Sequence, residues 1–191
     1  MAALSSTIRV SVCVFMATLL IACGGSSGGV VVANSGISPG AGPAANALQG
    51  NWTTGCFAFD RTANTQSAVL TLSINGTSSV YTAFSYSDLN CSVPAISPET
   101  GAVIENGNTD FLEFPAQTVM TSLGEASFIN FTTESVTVDS MPLSPEDFQP
   151  ITLFSIFLVT DDGRLFFGNG SSTSEETRPL TLDVFFNYIR L

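Results

Sequence analysis

The 191-residue chain sets 16 acids against 5 arginines, with no lysine and no histidine, for a net charge of −11 at neutral pH. That balance repels phosphate backbones and argues against nucleic acid as a partner. It also removes the Ser-His-Asp and Cys-His nucleophiles, imidazole metal ligands and every lysine-based chemistry, so paired carboxylates are the one familiar catalytic toolkit left.

The chain opens on a short segment whose only charge is Arg9, followed by an apolar run from Val10 to Ala22. The run is short for a membrane span and has the layout of a secretory signal. It ends in Leu20-Ile21-Ala22-Cys23, which resembles the bacterial lipoprotein signal at all four of its positions. The resemblance implies a signal peptide over 1–22, a lipid on Cys23, and the membrane as a partner through that lipid. Gly24, where an inner-membrane lipoprotein would carry Asp, implies sorting to the outer membrane of the bacterial envelope, facing the periplasm or the cell surface. On this reading Cys13 leaves with the signal and Cys23 is acylated, so Cys56 and Cys91 remain. Two thiols in an exported domain usually pair, with two free thiols as the alternative. A bridge closing a loop of about 36 residues contributes roughly 4 kcal/mol. Residues 23–47 are then the lipidated Cys and an uncharged Gly/Ser/Ala linker, with an r.m.s. span of about 25–30 Å.

The folded domain is expected over 48–191. Its short β-rich runs are separated by turn signals, without a helical period. Asn51–Phe59 reads as the first strand. Ala68, Leu70, Leu72 and Ile74 alternate with Val69, Thr71 and Ser73, and Asn75-Gly76 reads as a type I′ hairpin turn into Ser79–Tyr86. Asp88-Leu89-Asn90-Cys91 forms a corner. Strands are then expected at Ala102–Glu105, Thr118–Thr121, Ala126–Thr132 and Ser135–Asp139, with breaks at Asn106-Gly107-Asn108 and Leu123-Gly124. Met141–Pro150, with three prolines, reads as a loop. Ile151–Thr160 is a strongly apolar strand, Asp161-Asp162-Gly163 a turn into Arg164–Asn169, Gly170–Arg178 a polar loop, and Pro179–Leu191 the final strand. The pattern predicts an all-β fold, an antiparallel up-and-down barrel of about eight strands, with a β-sandwich as the alternative.

Gly50-Asn51-Trp52 resembles the Gly-x-Trp signature on the first strand of the lipocalin and related calycin barrels. In that family an Arg near the end of the last strand packs over the Trp and closes the barrel base. Arg190 is the matching residue here and Arg178 the second choice. Together with Cys56, the Asp88–Cys91 corner, Leu165–Asn169 and Arg178–Asp183, the arrangement also resembles small bacterial lipocalin-like lipoproteins of unknown function. The family's Thr-Asp-Tyr motif and a helix before the final strand are missing. Gly50, Trp52 and Arg190 are accordingly expected to seal the barrel without touching a ligand.

Phenylalanine supplies the remaining lead. Ile151–Thr160 is apolar on both faces, and Phe166-Phe167 and Phe185-Phe186 each put a ring on both faces. One set fills or lines the barrel, with Phe84, Phe157, Phe166 and Phe185 as ligand-lining candidates. The other needs a loop, a partner or lipid over it. No catalytic residue, metal site or cofactor is expected. Asp162-Gly163 reads as a turn, and no Asp-x-Asp-x-Asp-Gly calcium loop is present. The function expected is a non-enzymatic envelope binding module for a small apolar or amphipathic ligand. The alternatives are a structural lipoprotein that binds an envelope protein and, more weakly, a hydrolase built on two facing carboxylates about 5–10 Å apart.

Overall fold

The computed structural model describes residues 43–62, 65–144 and 146–191, so the expected signal segment, Cys23 and the expected linker up to residue 42 lie outside the described residues. Helix α1 (Pro43–Leu48) precedes eleven strands. These are β1 (Gly50–Thr53), β2 (Phe57–Thr62), β3 (Thr65–Asn75), β4 (Ser78–Tyr86), β5 (Glu105–Glu113), β6 (Thr118–Thr121), β7 (Gly124–Val138), β8 (Met141–Pro142), β9 (Thr152–Val159), β10 (Arg164–Gly168) and β11 (Leu182–Arg190). β1, β3, β4, β5, β7, β9, β10 and β11 pair antiparallel in chain order, and β1 pairs with β11. The sheet is therefore a closed eight-stranded up-and-down barrel, not a sandwich, and closure leaves no long free edge to protect. β2 continues along β3 beyond β1, while β6 and β8 pair with the two ends of β7.

Side-chain alternation sorts the walls. Ala68, Leu70, Leu72 and Ile74 are all at most 4 % exposed and face inward. Opposite them β4 turns in Ser79, Tyr81, Ala83 and Ser85. The doubly apolar β9 splits its side chains between two clusters. Phe157 and Val159 join the interior with Trp52, Leu112, Ile129, Leu165 and Tyr188. Ile156 and Leu158 join an outer cluster with Ala126, Phe166, Leu182, Val119 and Phe128. The β6 hairpin and the approach to β11 thus supply the cover that an outward apolar face requires.

Five local expectations differ from the structure. Ahead of the expected domain start at Leu48, α1 already packs Ala45 and Leu48 at 2 % and 0 % exposure; a helix that short is held by tertiary burial rather than propensity. The first strand breaks at residues 54–56, where the Thr54 hydroxyl accepts from Leu70 N at 2.9 Å and takes the place of a ladder carbonyl. Asn106-Gly107-Asn108 lies inside β5 instead of forming a turn. A Cβ on Gly107 would come within 2.8 Å of Thr137 Oγ1, so the glycine serves a close strand approach. Ala126–Thr132 and Ser135–Asp139 merge into the single strand β7, whose ladder shifts register opposite Thr109 and Asp110 and leaves Glu134 as the extra residue. The β3–β4 hairpin holds, but its two turn residues are Gly76 and Thr77, with positive φ at Gly76 alone (62°), so it is not the type I′ turn.

Cys56 and Cys91 form a disulfide. Asp88 shapes the corner that presents Cys91: its carboxylate accepts from Ser92 N and Val93 N, both at 3.0 Å. The Ser92 hydroxyl first, and then these backbone bonds, hold its pKa below the usual carboxylate range. The bridge ties the strand break after β1 to the β4–β5 connection. Replacing both cysteines with serine is expected to lower the unfolding free energy by about 2–4 kcal/mol, measured by urea denaturation.

Candidate functional site

The barrel is plugged at one end. Trp52, fully buried, is the ladder partner of Arg190, whose guanidinium lies 4.5 Å over the indole ring. The indole N–H donates to Leu48 O at 2.8 Å, and Arg190 donates to Ala47 O. The first strand, the last strand and α1 therefore meet in one knot, with Gly50 leading into it on β1 opposite Ile74. The expected sealing set, Gly50, Trp52 and Arg190, is brought together here.

Arg178 has a different task, on the outside of the barrel. It is 5 % exposed and donates to Ile129 O, Ser155 O and Asn130 Oδ1 at 2.8, 2.6 and 2.7 Å. Its guanidinium lies 4.4 Å from the Phe128 ring and 5.2 Å from that of Phe154. Burial pulls its pKa down while Glu175, 3.9 Å away, opposes that. The planar fork serves three acceptors between two rings, a geometry a lysine ammonium cannot reproduce. It pins the loop after β10 to the outer wall.

A run of rings lines the interior from beside the plug toward the opposite end. Phe57, Phe186, Tyr188, Phe167 and Phe131 form a chain of edge-to-face contacts with centroid spacings of 5.0, 5.7, 5.8 and 5.6 Å. All five pack with the interior cluster, yet only Tyr188 is buried; the other four are half-buried. Phe186 lies four residues before the plugging Arg190, about 13 Å along the strand. The inward-facing rings that stay half-buried along this run make up an aromatic cup.

The interior also contains a carboxylate. Asp110 on β5 is 2 % exposed, and faces Ser79 on β4 and Thr133 on β7. Thr133 hydrogen-bonds its carboxyl, while Asp110 Oδ1 and Ser79 Oγ have no partner. Desolvation, with the nearby Glu134 adding to it, pushes the Asp110 pKa up to about 6. Asp110 is the one buried acid among the described residues, so the interior offers no facing carboxylate pair for hydrolysis.

The four ligand-lining candidates scatter. Phe157 is buried in the interior at 2 % and touches Phe114. Phe166 packs in the outer cluster, Phe84 is half-buried on the outward face of β4, and Phe185 is 94 % exposed. A β-bulge between Phe166 and Gly168 on the β10–β11 ladder shifts the register there, and the inward rings are Phe167 and Phe186. The sequence reading missed Phe57, Phe131, Phe167 and Phe186, and also Asp110. The paired phenylalanines did announce that one ring of each pair faces in, but not which.

No group of three or more His, Cys, Asp or Glu among the described residues is arranged to hold a metal ion, and no described helix is long and apolar enough to cross a membrane. The fold and its contents define a plugged, disulfide-stapled β-barrel with an aromatic mouth. No known family, curated protein or solved structure matches the chain.

Two measurements follow from the geometry. Arg178→Ala leaves three acceptors without a donor and is expected to cost about 3 kcal/mol of stability, which Arg178→Lys recovers only in part. Arg190→Ala removes one exposed stacking contact and the bond to Ala47 O and is expected to cost about 1 kcal/mol; urea denaturation ranks the two.

Because the folded protein holds the Asp110 proton more tightly than the unfolded chain, this group's contribution is present at low pH. It is lost as pH rises from the ordinary value of 3.8 through about 6. The loss amounts to roughly 3 kcal/mol. Asp110→Asn is expected to be more stable than the wild type at pH 7 and to lose that advantage near pH 4. Equal stability differences at both pH values would contradict it.

Proposed function

We propose that this chain is a lipoprotein of the bacterial outer membrane, tethered through Cys23, whose barrel binds a small apolar or amphipathic molecule in its aromatic cup without catalysing a reaction. The observation that carries the reading is the chain of inward rings, Phe57, Phe131, Phe167 and Phe186, that pack edge to face and remain half-buried. Apolar walls with few polar groups are the common composition of small-molecule sites. The tether rests on the Leu20–Cys23 resemblance, and the Cys56–Cys91 bridge suits an oxidising compartment.

A second reading has its own support. Phe185 is 94 % exposed, and Val184, Ile189 and Leu191 on and beside the same strand are 43, 49 and 76 % exposed. That strip favours a contact with another envelope protein.

One experiment separates the two readings. Titration of the protein with the neutral fluorophore N-phenyl-1-naphthylamine is expected to give saturable binding that Phe167→Ala or Phe186→Ala weakens by about tenfold. Phe185→Ser is expected to leave it unchanged. Binding lost with Phe185 and retained in the interior variants would favour the surface strip; no binding at all would defeat the cup.

A further inference from the structure

Inside the barrel, two polar atoms have no hydrogen-bond partner, and they belong to residues that face each other. Ser79 and Asp110 are ladder partners across β4 and β5, 1 % and 2 % exposed, and the unpartnered atoms are the Ser79 hydroxyl and one Asp110 carboxylate oxygen. The other side of the cluster is occupied by Thr133, which hydrogen-bonds the Asp110 carboxyl. A buried hydroxyl and a buried carboxylate oxygen ordinarily have partners, and the exceptions are frequently functional.

No cation of the protein supplies the missing partner among the described side chains. Arg178 is committed to the outer wall, Arg190 to the Trp52 plug, and Arg164 to Asp162 at an exposed turn. The other charged group acting on Asp110 is Glu134, exposed and of the same sign. The cluster therefore presents an acceptor and a hydroxyl, with negative charge that no cation among the described side chains offsets.

Its place relative to the cup gives it a direction. On β5 and β7 the pair Asp110–Thr133 stands next to the pair Leu112–Phe131 on the same inward face, with Phe131 one of the cup's rings. Adjacent inward positions are about 7 Å apart, within the length of a short alkyl chain. We infer that Ser79, Asp110 and Thr133 form the polar end of the ligand site. They receive a hydrogen-bond-donating head group, a primary amine above all, while the apolar tail lies against Phe131 and Phe167. The inference rests on the cup reading and adds the ligand's class: a neutral or cationic amphiphile rather than a fatty acid.

The test compares decylamine, decanol and decanoate as competitors of N-phenyl-1-naphthylamine on the purified protein at pH 7.5, each below its aggregation threshold. Decylamine is expected to compete at about a tenfold lower concentration than decanoate, with decanol between them. Asp110→Asn and Ser79→Ala are each expected to shrink that preference several-fold while decanol still binds. Glu134→Gln removes the neighbouring surface charge and is expected to keep it. A preference that survives both Asp110→Asn and Ser79→Ala would trace it to the overall negative charge, leave the buried atoms holding water only, and overturn the inference. Decanoate competing as well as decylamine in the wild type would overturn it too. Failure of all three compounds, with the fluorophore still bound, would overturn it and leave the cup standing; failure of the fluorophore itself would remove both.

Discussion

The barrel depends on how its first and last strands are joined. Only two ladder pairs connect them, Trp52–Arg190 and Thr53–Ile189, with one further bond from Leu191 N to Asn51 O. They close nearly the whole folded chain, the Arg190–Ala47 bond alone spanning 143 positions. Loop-closure entropy rises slowly with length, so the closure is affordable, but so short a ladder has to be reinforced by side chains. The reinforcement is the buried indole, stacked under a guanidinium and bonded through its N–H to Leu48. The same residue fills the end of the barrel, fixes α1 beneath it and aligns the closing register. Loss of this knot would leave an open eight-stranded sheet with two free edges.

A second constraint acts on the wall. β9 is apolar on both faces, which a barrel exposed to water on its outside cannot leave bare. Ala126, Phe166, Leu182 and the β6 hairpin supply the apolar part of the cover, and Arg178 supplies the polar part. Its charge is buried on the outer wall, where two backbone carbonyls and an amide oxygen are within reach and two rings flank it. Burying a cation is costly unless every donor is used, and here one nitrogen, Nε, is left over. The arrangement therefore contributes less net stability than its number of contacts suggests. Its value lies in fixing one path for a polar loop that has few apolar anchors of its own.

Much of this was legible in the residues, for physical reasons that differ from place to place. β3 is readable because a wall that is wet outside and dry inside imposes a strict period of two. The Trp52 and Arg190 pairing is readable because the short motif before the indole and the terminal arginine match a known closure. β5 and β7 were obscured because Asn-Gly-Asn signals a turn locally, while the close approach of Gly107 to Thr137 is a tertiary fact. The merged β7 depended on the register shift that leaves Glu134 unmatched, which has no local signature. The cup was half legible: adjacent phenylalanines must face opposite ways, but which ring of each pair faces in follows from the inward ladder pair Leu165–Tyr188, a tertiary fact. Asp110 carried no signal at all, since one acid in a polar strand looks like any solvated side chain until its neighbours on both flanking strands turn inward with it.

The same closure that makes the plug rigid leaves the mouth differently built. Beyond Thr53 the chain turns away through residues 54–56, and among the described residues the ladder between the start of the barrel and β11 stops there. β2 pairs with β3, so along this side the wall beyond the plug is held by the contact of Phe57 with Phe186, at 5.0 Å, and not by backbone bonds. Asp183 accepts from Phe185 N and Phe186 N, satisfying two donors where a neighbouring strand would otherwise be needed. A side-chain contact of this kind opens at far lower cost than a hydrogen-bonded ladder, because no buried backbone group is stranded when it parts. The disulfide at Cys56 holds the strand break itself in place, so movement there is confined to the rings above it. The aromatic cup is thus bounded on most of its circumference by fixed strands and on one side by the Phe57–Phe186 contact, the part of its wall that opens at the least cost.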